Sequence, residues 1–364
     1  MGDEFLPGPA GPVGAVPLPV GQPAGPELLT GGEIARYVVA AAVWAPSVHN
    51  TQPWRFTAGG QQISLHADAG RQLMVADPDG REMMISCGAA LFTARLALRS
   101  LGHLPRAAVL PDPGQPLLVA RLSWPQRAAR TEFEQQLFGQ VRQRRTHRGG
   151  FDLAPLPPNL LASLREGAGG YGAMLRIVAD DGRRAALAAA VETAERAQRR
   201  DAERVAELAR WAPAPGSAAT DGVPPTSYPA RAEHTDPDLP GRDFAHGRGW
   251  GLPPLSTAPW PRSAGVVALL TTAHDRRADW INAGQALQRI LLTASACGAA
   301  AALHTQPLEL GSLRESIRTG LGDGAYPQLI LRFGMVTQAA VSVRRPADDV
   351  LSADQDESPS ISHG

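Results

Sequence analysis

The sequence predicts a mixed helix-and-strand protein folded between two tails. Three observations carry that expectation. Apolar residues recur at helical spacing in several long stretches, short β-prone runs stand between turn residues, and one helical pattern occurs twice. With 364 residues, 43% of them hydrophobic, the chain can bury one large core or two smaller ones.

The elements follow in order. Residues 1–26 are dominated by Gly, Pro, Ala and Val without periodicity, which predicts a disordered or polyproline-like tail. Thr30 with Glu33 three residues later forms a capping-box pattern, and Ile34, Val38, Ala41 and Ala42 mark one helix face. Pro46 ends that helix. Residues 54–56 and 63–66 read as a hairpin turning at Gly59-Gly60. Residues 81–101 form a long apolar helix closed by Gly102. Strands are expected at 107–110, 117–122, 173–179, 264–272 and 327–333. Helices are expected at 131–145, 158–166, 183–211 and 277–297. Glu132 and Glu134 read as a solvated face that favours the helix N-terminus. Residues 352–364 are a polar tail.

Arg81, Gly88, Ala90, Leu91, Leu96 and Gly102 recur 196 positions later as Arg277, Gly284, Ala286, Leu287, Leu292 and Gly298. This is either coincidence between two Ala/Leu-rich helices or the trace of an ancient duplication. The small residues would let two helices approach closely. Residues 212–262 are rich in Pro, Gly, Ser and Thr, with Tyr228, Phe244, Trp250 and Trp260 scattered among them. So long a loop is uncommon in a compact domain, and its aromatics point to a lid.

Composition excludes several classes. Net charge is zero and pI about 7.1, so no global field draws the chain to nucleic acid or anionic lipid. Every basic residue is arginine, which rules out a Schiff-base or Walker lysine. Cys87 and Cys297 stand in apolar runs and read as small buried hydrophobes in a cytoplasmic, reduced setting; no zinc pattern exists. The N-terminus lacks a basic signal-peptide region, and the apolar run 264–272 is too short for a membrane span.

Two segments carry chemistry. Residues 45–56 read Ala-Pro-Ser-Val-His-Asn-Thr-Gln-Pro-Trp-Arg-Phe, between a helix and a strand. They offer a hydroxyl, an amide and backbone groups to a flat, polar-edged ring. Arg144-Arg145-Thr146-His147-Arg148 sets three guanidiniums and a hydroxyl within five residues, suited to phosphate oxygens or simply to a solvated helix end.

The first segment resembles the P-S-x-x-N-x-Q-P-W run of nitroreductases, which holds the FMN ring. The second resembles their R-R-S-x-R-x-F run, which binds the FMN phosphate. Arg332-Phe333-Gly334 and Arg344-Arg345-Pro346 look like the family's closing segment. The halves are complementary: the ring segment lies in the first, the arginine segment in the second. Gly167-Ala168-Gly169-Gly170-Tyr171 stands where a second ring segment would be. With Thr305-Gln306-Pro307-Leu308-Glu309-Leu310, this arrangement resembles the Acg family of flavin proteins over about residues 28–351.

That resemblance implies an α+β, nitroreductase-like fold with two pseudo-twofold-related halves in one chain. Mixed, antiparallel-rich sheets would be flanked by helices, with a flap insertion over the flavin. It implies halves at 27–130 and 131–351, with the flap at about 212–262. It places Pro46, Ser47 and Asn50 against the isoalloxazine or ribityl chain, and Gln306 near the reactive edge. It assigns Arg144, Arg145, Thr146, Arg148, Arg344 and Arg345 to the phosphate side. Gln52, Pro53 and Trp54 would lock the loop or touch the cofactor, and His147 is structural or a proton donor; His49 is a ring neighbour or a surface residue. FMN would be the cofactor, NAD(P)H and a small electron-poor acceptor the partners, and the chain a monomeric pseudo-dimer or weak homo-oligomer. The implied activity is a flavin oxidoreductase, with FMN sequestration under the flap as the alternative.

Overall fold

A computed structural model describes residues 29–229, 234–244, 263–337 and 341–353 of the chain. The N-terminal tail, most of the C-terminal tail and flap residues 230–233 and 245–262, with Trp250 and Trp260, lie outside the described residues.

The first half runs α1 (Gly31–Ala42), β1 (Trp54–Gly59), β2 (Gln62–Ala67), α2 (Arg81–Ser100), β3 (His103–Val109) and β4 (Leu118–Arg127). Thr30 and Glu33 form the capping box, the Glu33 carboxylate accepting from the Thr30 amide at 2.8 Å. The apolar face of α1 (Ile34, Val38, Ala42) is buried with Trp54 and Phe56 of β1 and Leu65 of β2.

The second half runs α3 (Glu132–Gln140), β5 (Thr146–His147), α4 (Leu160–Gly169), β6 (Ala173–Ile177), α5 (Asp181–Arg200), α6 (Ala202–Arg210), β7 (Val266–Thr272), α7 (Arg277–Ala296), β8 (Ala299–Leu303), α8 (Gly311–Gly320) and β9 (Tyr326–Met335). A last strand, β10 (Leu351–Ala353), follows, entering the expected polar tail.

The two five-stranded sheets share one plan. The first has the order β10-β1-β2-β4-β3 and the second, read from its far edge, β6-β7-β9-β8-β5. Removing the added edge strands leaves β1-β2-β4-β3 matching β6-β7-β9-β8, every neighbour antiparallel. The additions are parallel and exchanged: β10 crosses back to β1 of the first half, and β5 joins β8 of the second.

Between the sheets α2 packs on α7, and their contact is itself symmetric. A Cβ on Gly88 would lie 2.1 Å from the Ile281 carbonyl oxygen, and one on Gly284 1.9 Å from that of Ile85. Both pairs are related by the same 196-position step, so a pseudo-twofold axis passes through this crossing.

Several expectations need correction. The helix expected over 131–145 ends at Gln140, leaving the arginine segment in a turn and the short strand β5. The stretch 183–211 breaks at Asp201, whose carboxylate accepts from the amides of Glu203 and Arg204 and starts α6. Strand β8 is four alanines and a leucine, a helix-former composition overridden by pairing with β9. Cys87 is buried, but Cys297 is exposed. Glu134 is not merely solvated: it completes a capping box with Thr131 and pairs with Arg99. No helix among the described residues is long and apolar enough to cross a membrane.

Candidate functional site

The loop after α1 is built by unusual backbone. His49, Asn50 and Gln52 have φ of +47°, +56° and +49°. Side chains in that left-handed region cost on the order of 1 kcal/mol or more each, so the surroundings must hold them there. Ser47 Oγ accepts from the Gln52 amide (3.0 Å), and Ser86 Oγ of α2 accepts from the Val48 amide (3.3 Å). Gln52 fastens two distant segments: its Nε2 donates to Thr220 O (2.9 Å), and its Oε1 accepts from the Arg345 amide (2.8 Å).

A cavity of about 100 Å³ lies between this loop, the first turns of α2, β5 and the end of β8. Pro46, Ser47, Thr146, Arg148 and Gln306 all line it. The flap contributes Arg242 and Phe244. His49 is buried against the edge of the Phe244 ring, and Arg148 lies 5.8 Å from that ring's centre.

Beside the cavity sits a group of cations, Arg144 buried and Arg145, Arg148 and Arg344 half-buried. The Arg144 Nη2 reaches the Trp44 carbonyl at 3.4 Å, while Nε and Nη1 find no partner among the described residues. Arg344 donates to the carbonyls of Val343 (2.7 Å), Ala45 (3.3 Å) and Trp44 (3.4 Å), and its Nε is unpartnered. Arg145 stacks over the Trp44 ring at 4.8 Å, with Arg142 and Arg344 at 5.6 Å. Burial, then Arg145 and Arg148, pulls Arg144 down to about 9. Burial, then Arg144, Arg145 and Arg148, holds Arg344 well below its ordinary value. Burial also lowers Arg148 to about 10. Among the described residues no carboxylate offsets the charge of Arg144 or Arg344. Arginine stays protonated in proteins, so these directions signify a strained, uncompensated positive field rather than neutral side chains. An anion is its natural complement.

The predicted residues are therefore distributed. Arg144 and Arg145 face a neighbouring cavity of about 210 Å³ across β5 rather than the main one. Asn50 is not among the lining residues: its Nδ2 donates to Gly222 O (2.9 Å) and Val343 O (3.2 Å), tying flap and C-terminal segment to the loop. The Arg345 guanidinium donates from Nη2 to Asp349 O (3.0 Å) and keeps a buried Nη1 without a partner among the described residues, while its amide is held by Gln52. His147 Nε2 lies 2.9 Å from Gly150 O, as a structural residue would.

Sequence reasoning missed Trp44, Glu82, Arg242 and His304. Trp44 reads as an ordinary helix-end aromatic and Glu82 as an ordinary first-turn acid, so neither carries a signal of its own. Glu82 lines the cavity, accepts from Arg81 (2.9 Å) and has one buried oxygen without a partner. Burial, then the nearby Glu309, raises it to about 8. His304 Nε2 accepts from Arg332 Nε (2.8 Å), and burial holds the ring neutral. Among the described residues no group of His, Cys, Asp or Glu could hold a metal.

Fold and site together define a two-sheet α+β protein with an anion-seeking pocket where its halves meet. No family model matches the chain. A Mycobacterium tuberculosis protein provisionally named NAD(P)H nitroreductase is 37% identical over 307 residues, 83% of this chain and 85% of that protein. A second, provisionally named NAD(P)H nitroreductase acg, is 29% identical over 330 residues, 90% of this chain and 97% of that one. The chain belongs to the Acg family of nitroreductase-like proteins. Among solved structures, a nitroreductase with bound FMN from Desulfitobacterium hafniense is 15% identical at a TM-score of 0.34, covering 60% of this chain and 98% of that chain. A likeness that loose carries no argument.

Proposed function

We propose that the chain binds one FMN between its halves and acts as an NAD(P)H-dependent oxidoreductase of nitroreductase type. The observation that carries this reading is the cluster of Arg144, Arg148 and Arg344, in which two buried guanidinium nitrogens of Arg144 and one of Arg344 have no partner among the described residues. A dianionic phosphate would supply the missing acceptors and charge at once. On the opposite wall, the Ser47 hydroxyl accepts from Gln52 and so retains its proton to donate to a polar ring edge. Pro46 offers that ring an apolar surface. Thr146 and Gln306 add polar groups to the same lining.

When bound, the flavin would supply the two-electron chemistry, between a nicotinamide hydride donor and an electron-poor acceptor. The chain's part is to hold, orient and exclude water. The provisional names of its relatives support this reading.

The cavity of about 100 Å³ is below the roughly 300–1,000 Å³ usual for ligand pockets, so loading requires the flap to shift outward. The flap is well fastened, which favours a second reading, sequestration with little turnover. Asn50 holds Gly222, Gln52 holds Thr220, Arg71 pairs with Asp221 (2.9 Å) and Arg242 pairs with buried Glu309.

The absorbance spectrum of the purified chain tests the shared premise; a colourless protein that takes up no FMN overturns both readings. Flavin that bleaches under NADPH and recolours with a nitroaromatic or quinone supports the enzyme. Yellow protein whose NADPH oxidation stays at the free-FMN background supports sequestration.

A further inference from the structure

The duplication creates a second cleft where symmetry requires one. Ser86, Leu303 and Thr305 line the cavity described above. Their counterparts at the 196-position step, Asn282, Ala107 and Val109, all line a separate cleft of about 490 Å³. Gly170-Tyr171-Gly172, following α4, stands there in the place that Pro46-Ser47 holds after α1. This cleft is the pseudo-twofold mate of the first. Among the described residues, none from the flap or from the arginine segment lines it.

It has its own chemistry. Arg95 and Arg289 line it, and among the described residues no carboxylate does. Arg95 makes one hydrogen bond among the described residues, to Gln285 Oε1 at 2.8 Å, and its guanidinium lies 5.8 Å from the centre of the Tyr171 ring. The Arg289 guanidinium makes none among them and lies 5.8 Å from the centre of the Phe133 ring; its carboxylate partner, Glu166, is 4.0 Å away with a side chain 81% exposed, a weak partner. The glycine turn gives Arg289 its place: a Cβ on Gly170 would stand 3.1 Å from its Nη1, and one on Gly167 3.5 Å from its Nε. Both guanidiniums line the one cleft beside Tyr171, whose phenol is pushed up by burial and pulled back by the two arginine charges. Ala107, Val109 and the Tyr171 ring add apolar surface beside the two guanidiniums in a cleft that is open to solvent.

We propose that this second cleft binds a small organic anion, a carboxylate or phosphate borne on a planar ring, with Arg95 and Arg289 gripping the oxyanion. The site is independent of the flavin reading: it can be occupied whether or not the first pocket holds FMN.

Isothermal titration of the full chain, once FMN-saturated and once flavin-free, tests it with phenyl phosphate, benzoate and inorganic phosphate as probes. One-to-one binding of a ring-bearing probe to the FMN-saturated chain is expected, weakened about tenfold or more in Arg95→Gln and in Arg289→Gln, with further binding in the flavin-free chain belonging to the first pocket. Tighter benzoate identifies a carboxylate ligand, and tighter phenyl phosphate a phosphate ligand. Binding by the variants equal to wild type overturns the proposal, as does no binding to the FMN-saturated chain below about 10 mM. Should a variant fail to fold, NMR shifts of the Tyr171 ring on titrating the wild-type chain decide: shifts at that ring support the site, and unmoved signals overturn it.

Discussion

Trp44 gathers the arginines of this site through both ring and backbone. Its ring faces Arg142, Arg145 and Arg344, and its carbonyl accepts from Arg144 and Arg344. Guanidinium stacks on aromatic faces where ammonium would not, and in this chain every basic residue is arginine. Replacing Arg148 or Arg344 with alanine should lower FMN retention about tenfold or more, because each leaves part of a dianion unpaired. Arg345→Ala should retain flavin as wild type does, since that guanidinium faces Asp349. Flavin released from equal amounts of each protein checks this; equal content in all three variants defeats the phosphate assignment. Glu82 yields a pH prediction. Its folded value of about 8 stands above the ordinary 4.5, so between those values the folded state holds the extra proton. Its contribution is therefore fully present below about pH 4.5 and lost as pH rises toward 8. Glu82→Gln keeps the shape without the charge. Its melting temperature relative to wild type should climb from pH 5 to 8 and then level off; a difference constant across pH would sink the assignment.

At the scale of elements, the α2–α7 crossing organises the molecule. Glycine inside a helix ordinarily costs about 1 kcal/mol relative to alanine. At Gly88 and Gly284 the sign should reverse, because a methyl group would meet the facing Ile281 or Ile85 carbonyl oxygen. Gly88→Ala should destabilise by about 1–3 kcal/mol or more in urea unfolding, and a stabilised variant would show that the helices can part freely. The repeated helix was visible in sequence as six matched positions, with coincidence still open. The shared strand order and the reciprocal glycine contacts resolve it in favour of duplication. Elements with strong local signals were legible: the capping box of α1, the hairpin at Gly59-Gly60 and both central helices. Strands β5, β8 and β10 were not, because each is short or alanine-rich and exists through a partner strand.

At the scale of the whole molecule, exchange of edge strands makes one site from two halves. Strand β5 carries Thr146 and leads into Arg148 beside the second sheet, while β10 returns the chain beyond Arg344 to the first. The two additions thus bring distant arginines toward the loop after α1, and the flap is tied to that same loop through Gly222 and Thr220. The sequence by itself determined the family, the helix–strand alternation, the two chemical segments and the cation supply, because these rest on local pattern and residue type. Only the tertiary structure decided which groups converge. It turned Asn50 and Gln52 into ties for the flap, fastened Arg345 to Asp349, placed Trp44 among the guanidiniums, buried Glu82 beside the pocket and opened a second arginine-lined cleft. The physical reason is range: caps, periods and turns act over a few residues, whereas burial and electrostatic company depend on neighbours hundreds of positions away.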